Sequence, residues 1–214
     1  LTVDIVNGDA LLVYGDTNGI GTLQEGTYLG TYPDLTGWLT NNPIENGFRR
    51  IGRPTEIMID QRFGPLDGHS WIYVADSSNR DVAVVGTRDS ALLGRWKALP
   101  DPSGLGLPPS RTTLYVSHFA RTTAGAARFD DVTKHLADPD QRLDIEVGRG
   151  PYGLAHSIAT AAVFVANNVE NSCSVFNSAT AQPQVTFNIG TSPIDVATTI
   201  AYPGIGYFAF ISCV

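Results

Sequence analysis

The chain has 214 residues, 43% of them hydrophobic and 16% charged, with a formal net charge of −7. That balance excludes a disordered or fibrous chain and allows a sizeable buried core. The only lysines are Lys97 and Lys134 and the arginines are scattered, so no basic patch exists to make nucleic acid or an anionic membrane surface the main partner.

No apolar stretch reaches the length of a membrane-spanning helix. No signal-peptide layout follows Leu1, and the expectation is a mature segment whose leader has been removed, or part of a longer product. Along the chain, residues 1–6 alternate as a strand, 11–16 read as a second, 26–32 as a third and 48–51 as a fourth. A clearer set follows at 54–60, 71–76, 81–86 and 92–99, with Phe63-Gly64-Pro65-Leu66-Asp67-Gly68 inserted on a loop. The next strands are expected at 102–108, 113–118, 125–129 and 143–147, and only residues 130–142 admit a short helical turn. Then come 152–157, 161–167, 173–176 and 185–189, and finally 194–199 and 207–212.

These sets are copies of one phrase. Pro54, Pro102, Pro151 and Pro193 lie 48, 49 and 42 residues apart. After them come Tyr73-Val74-Ala75-Asp76, Tyr115-Val116-Ser117-His118, Phe164-Val165-Ala166-Asn167 and, more loosely, Phe208-Ala209-Phe210-Ile211. Four short strands with tight turns in about 45 residues make a unit the size of a propeller blade. The expected fold is all-β, a β-propeller of about five four-stranded antiparallel blades in one domain, 1–214. The blades run approximately over 1–52, 53–100, 101–148 and 149–190, with a partial one at 191–214. Gly52, Gly148 and Gly190 fall where one blade hands over to the next, a crossing expected to need unusual backbone angles and close approach.

A partial blade leaves an open sheet edge, which pairs readily with any arriving strand. Residues 1–6 can close it in cis, a neighbouring copy can close it in trans, or the chain continues. Leu1, Val3, Ile5, Phe208, Phe210 and Trp38 are the interface candidates.

Gly148-Arg149-Gly150-Pro151-Tyr152-Gly153-Leu154-Ala155, followed by Val163-Phe164-Val165-Ala166-Asn167-Asn168, resembles the YVTN-type β-propeller repeat. Ile72-Tyr73-Val74-Ala75-Asp76-Ser77-Ser78-Asn79-Arg80 resembles both it and the related NHL repeat. The resemblance spans about residues 51–212 and implies the propeller fold. It leaves function open, because such families include surface-layer and secreted binding proteins, some lactonases and a streptogramin lyase. No catalytic motif of those enzymes matches residue by residue.

The chemistry-bearing residues do not cluster in sequence. His69, His118, His135 and His156 share no metal-ligand spacing. His118 and His156, with Asp76 and Asn167 at strand ends, form a candidate channel-mouth site with histidine as general base; the alternative is that they are packed structural groups. Asp16, Asp60, Asp76, Asp130 and Asn167 recur at strand ends, where an oxygen ring can hold Ca²⁺ and where Asp and Asn also cap turns. No other cofactor is expected. Cys173 and Cys213 are either a disulfide or two quiet thiols. Gly15-Asp16-Thr17-Asn18-Gly19-Ile20-Gly21 lacks the P-loop lysine, and no Gly-x-Ser-x-Gly elbow occurs.

The resulting expectation is an extracellular, cell-surface or periplasmic structural or interaction protein that binds protein, including copies of itself. Strand complementation of the incomplete blade would build a filament or surface array. The alternatives are a lactonase-like hydrolase or lyase at the channel mouth, and a glycan- or peptide-binding module.

Overall fold

A computed structural model describes residues 2–6, 9–13, 54–60, 71–77, 79–86, 92–98, 100–120, 125–130, 132, 141–199 and 206–214. They form sixteen strands, and among the described residues there is no helix. Nor, among them, is any helix long and apolar enough to cross a membrane. The chain divides into two compact units, Leu1–Lys97 and Ala98–Val214.

The first unit holds the hairpin β1 (Thr2–Val6) and β2 (Asp9–Val13). It also holds an antiparallel sheet of β3 (Pro54–Asp60), β4 (Trp71–Asp76), β5 (Asp81–Gly86) and β6 (Leu92–Lys97), in that order. β1 lies alongside β3. All six residues of β4 are buried, which is why this stretch reads as one apolar run instead of alternating. Trp71 and Trp96 pack from either side of Tyr73, with centroids 6.4 and 5.5 Å from its ring. Both tryptophans are core residues.

The second unit contains three sheets. The first comprises β7 (Pro102–Gly106), β8 (Thr113–His118), β9 (Ala126–Asp130) and β10 (Leu143–Ile145). The second comprises β11 (Pro151–Ser157), β12 (Ala162–Asn167), β13 (Ser172–Asn177) and β14 (Pro183–Asn188). The third is a pair, β15 (Pro193–Thr198) and β16 (Ala209–Cys213). All pairings are antiparallel and sequential. β11 runs beside both β7 and β15, so the first strands of successive sheets are neighbours.

Apart from the β1–β2 pair, each sheet begins in one way. The leading proline pairs with the last residue of the second strand: Pro54 with Asp76, Pro102 with His118, Pro151 with Asn167 and Pro193 with Cys213. The register shifts immediately afterwards in all four, a bulge that bends the strand. Each first strand is an edge strand, so a proline without an N–H removes no ladder bond. In the second unit the residue before the proline is left-handed, with φ of 62° at Asp101, 64° at Gly150 and 45° at Ser192. The amide after the paired residue closes the corner. Phe119 donates to Asp101 O and Asn168 to Gly150 O, both at 2.8 Å, and Val214 donates to Thr191 O at 3.2 Å.

The handover glycines therefore need correction. Gly148 and Gly190 have no positive φ; they are required for space. A Cβ on Gly148 would meet the Asn167 amide and sit 2.6 Å from Glu170 Oε2, and one on Gly190 would sit 3.0 Å from Cys213 Sγ. Gly52 lies outside the described residues.

Sheets in the second unit pack through apolar side chains. Tyr115, Ala126 and Ile145 from one sheet meet Leu154, Val163, Val165 and Phe176 from the next. Burial of such a side chain is worth about 1.5–3 kcal/mol. Polar bonds set the fit. Tyr115 Oη donates to Ser178 O at 2.6 Å, and Arg128 Nη1 donates to Ser178 O and Ala179 O at 3.2 and 2.8 Å. Ala162, Cys173 and Val175 meet Ile211 at the following junction.

Where β11 meets β15, backbones nearly touch. A Cβ on Gly153 would lie 2.6 Å from Asp195 Cα and Ile194 O, whereas one on Gly106 would meet the movable end of Leu154. Gly153→Ala should therefore destabilise the protein by about 1–3 kcal/mol in denaturant titration, and Gly106→Ala by less. Equal, small effects would contradict this backbone approach.

Candidate functional site

The proline-paired position collects most of the residues that the sequence nominates for chemistry. Asp76, His118 and Asn167 are each fully buried there, and Cys213 is the exposed fourth. A buried polar group must be hydrogen-bonded or carry a penalty of about 1–3 kcal/mol, and the surrounding side chains answer that demand differently in each sheet.

In the sheet β3–β6 the answer is ionic. The Asp76 carboxylate accepts from Asn79 Nδ2 at 2.6 Å, from Asn79 N at 3.3 Å and from Arg95 Nη1 at 3.3 Å. The same Nη1 also reaches both Asp81 oxygens, at 2.8 and 2.9 Å. Burial pushes the Asp81 carboxyl above its ordinary range; Arg95 opposes that rise and Asp76 adds to it. The guanidinium thus holds together two carboxylates that would otherwise repel.

In the sheet β11–β14 the answer is neutral. Asn167 Nδ2 donates to Ser172 Oγ and Ser174 Oγ, both at 2.9 Å. Ser174 Oγ also accepts from Gly148 N at 3.1 Å and lies 3.2 Å from Thr186 Oγ1. The register explains the substitution, because Ala83 pairs with Arg95 as Ser174 pairs with Thr186. The turns match as well, with left-handed Arg80 and Asn171 directly before the third strand. Asn79 donates to the paired residue, whereas Glu170 occupies its place and accepts from Arg149 N at 2.7 Å instead. A carboxylate supplies no proton, and Asn167 Oδ1 is left buried without a hydrogen-bond partner.

The two histidines are not brought together. β7 and β11 run side by side in one direction, since Ser103 Oγ donates to Pro151 O at 2.9 Å while Gly106 faces Leu154. His118 stands opposite Pro102 at one end, and His156 stands opposite Val163, five residues past Pro151. At about 3.3 Å per residue the separation along the strand is about 15 Å. His118 and Asn167 share the proline end of adjacent sheets, while Asp76 belongs to the other unit. Burial lowers the His156 pKa, so its neutral form is favoured in the folded chain.

Among the described residues, no three His, Cys, Asp or Glu side chains gather to hold a metal ion. In this structure both cysteines are free thiols, Cys173 buried and Cys213 exposed. Cys173 packs under Phe164, Ile189 and Ile211, and burial pushes its pKa up to about 11, leaving an inert thiol. Phe208 and Phe210 are exposed, with ring centroids 6.2 Å apart. Leu1, Trp38, His69, His135 and Asp16 lie outside the described residues. So do the strands expected at 26–32 and 48–51, the inserted loop and residues 131 and 133–140 of the expected helical turn; Val3 and Ile5 lie on β1. The sequence reading missed Arg95, Ser172, Ser174 and Glu170; counting register from each leading proline would have found them. A surface cavity of about 390 Å³ beside β9 and β10 is lined by Arg128, Asp130, Gln141, Arg142 and Leu143.

No family model matches the chain, and no curated protein matches it. Among solved structures, Kuenenia stuttgartiensis hydrazine synthase is similar, with a TM-score of 0.55 at 20% identity over 67% of this chain. The match covers 38% of the length of that structure. At this identity the likeness is one of fold alone, and a fold does not carry its activity with it.

Three outcomes follow. Arg95→Met should destabilise the protein by about 1–3 kcal/mol at pH 7, allowing for the partly exposed guanidinium. The loss should shrink on acidification in urea titrations, because a carboxyl with a raised folded pKa gains stability as pH falls through that value. Glu170→Asn, restoring the turn residue of the first sheet, should raise stability by about 0.5–1.5 kcal/mol by giving Asn167 Oδ1 a donor. A depressed folded pKa at His156 means stability is held above the unfolded value near 6.5 and lost as pH falls through the folded one. His156→Gln should therefore flatten stability between pH 7 and 5.

Proposed function

We propose that the chain is a β-propeller of the YVTN/NHL type, acting outside the cytoplasm as a structural or interaction protein. Its partners are proteins, other copies of itself among them. The propeller reading draws support from four sheets that open on one proline register and from first strands lying side by side within the second unit. The fold likeness to a solved structure agrees with it.

One observation carries the interaction reading. Residues 183–188 and 207–214 contain no charged side chain, yet they expose Val185, Phe187, Tyr207, Phe208, Phe210 and Val214. Exposed strands are normally blunted by charge, shortness or proline. β6 carries Arg95 and Lys97, β10 has three residues and β14 starts at Pro183, whereas β16 has none of these features. Apolar, uncharged surface of this kind marks contact with another protein, and a free strand edge receives a further strand through its main chain. In self-assembly, β16 of one copy accepts a strand from the next. The buried polar residues fit a scaffold too, because Asp76 and Asn167 are consumed in holding sheet corners.

Sedimentation across a concentration series tests this. The chain should move to larger species as concentration rises, while alkylation of exposed Cys213 slows and that of Cys173 stays negligible. Phe210→Lys should remain monomeric. A monomer at every concentration, with Cys213 uniformly reactive, would remove self-assembly from the reading.

A further inference from the structure

We draw no further inference here: the strongest candidate, the surface cavity beside β9 and β10, has Arg128 and Arg142 already held in ion pairs with Asp130 and Asp144 at 2.6 and 2.7 Å, so nothing in the structure specifies a ligand for it.

Discussion

The pairing of a leading proline with the last residue of the next strand is the constraint on which the rest depends. Strand register is set wherever a bulge and a fixed turn meet, and here both fall at one corner. Pro54, Pro102, Pro151 and Pro193 each begin an edge strand, each face a strand terminus, and each precede a register shift. From that corner the alternation of side chains is determined along the whole sheet. Leu154 is thereby aimed at Tyr115, Ala126 and Ile145, and Val175 at the junction with Ile211.

The anchor specifies geometry but not chemistry. Asp, His, Asn and Cys all occupy the paired position, and the backbone corner forms around each of them. What changes is the second layer of partners, ionic around Asp76 and hydroxyl-based around Asn167. Residues that look catalytic in the sequence are therefore explained first as parts of a corner. Arg95 and Ser174 show this most directly: each bonds the paired residue of its own sheet, Arg95 from the fourth-strand place that Thr186 holds in the other sheet and Ser174 from the third-strand place that Ala83 holds.

The strands were largely legible from sequence. The stretches 54–60, 71–76, 81–86 and 113–118 form strands with the expected limits, since polar or glycine residues bound each apolar run. β10 is shorter than expected, ending at Ile145. The candidate site was less legible. Periodicity places His118 and His156 on strands, but it does not tell which end of a neighbouring strand each will meet. That depends on the parallel course of β7 and β11, a relation between residues far apart in the chain. The glycines were read half correctly, because a sequence shows that a small residue is needed and not whether angle or space demands it. At Gly148 it is the Asn167 amide that excludes a side chain.

The unlike corners have a consequence for how the molecule meets its surroundings. A guanidinium between carboxylates is weakened by electrolyte, whereas a hydroxyl-and-amide cluster feels it little. Local opening free energies differ across a fold in roughly contiguous segments. Rising ionic strength should thus loosen the Asp76 corner while the Asn167 corner keeps its hold, giving one architecture built of repeats a graded sensitivity to its medium.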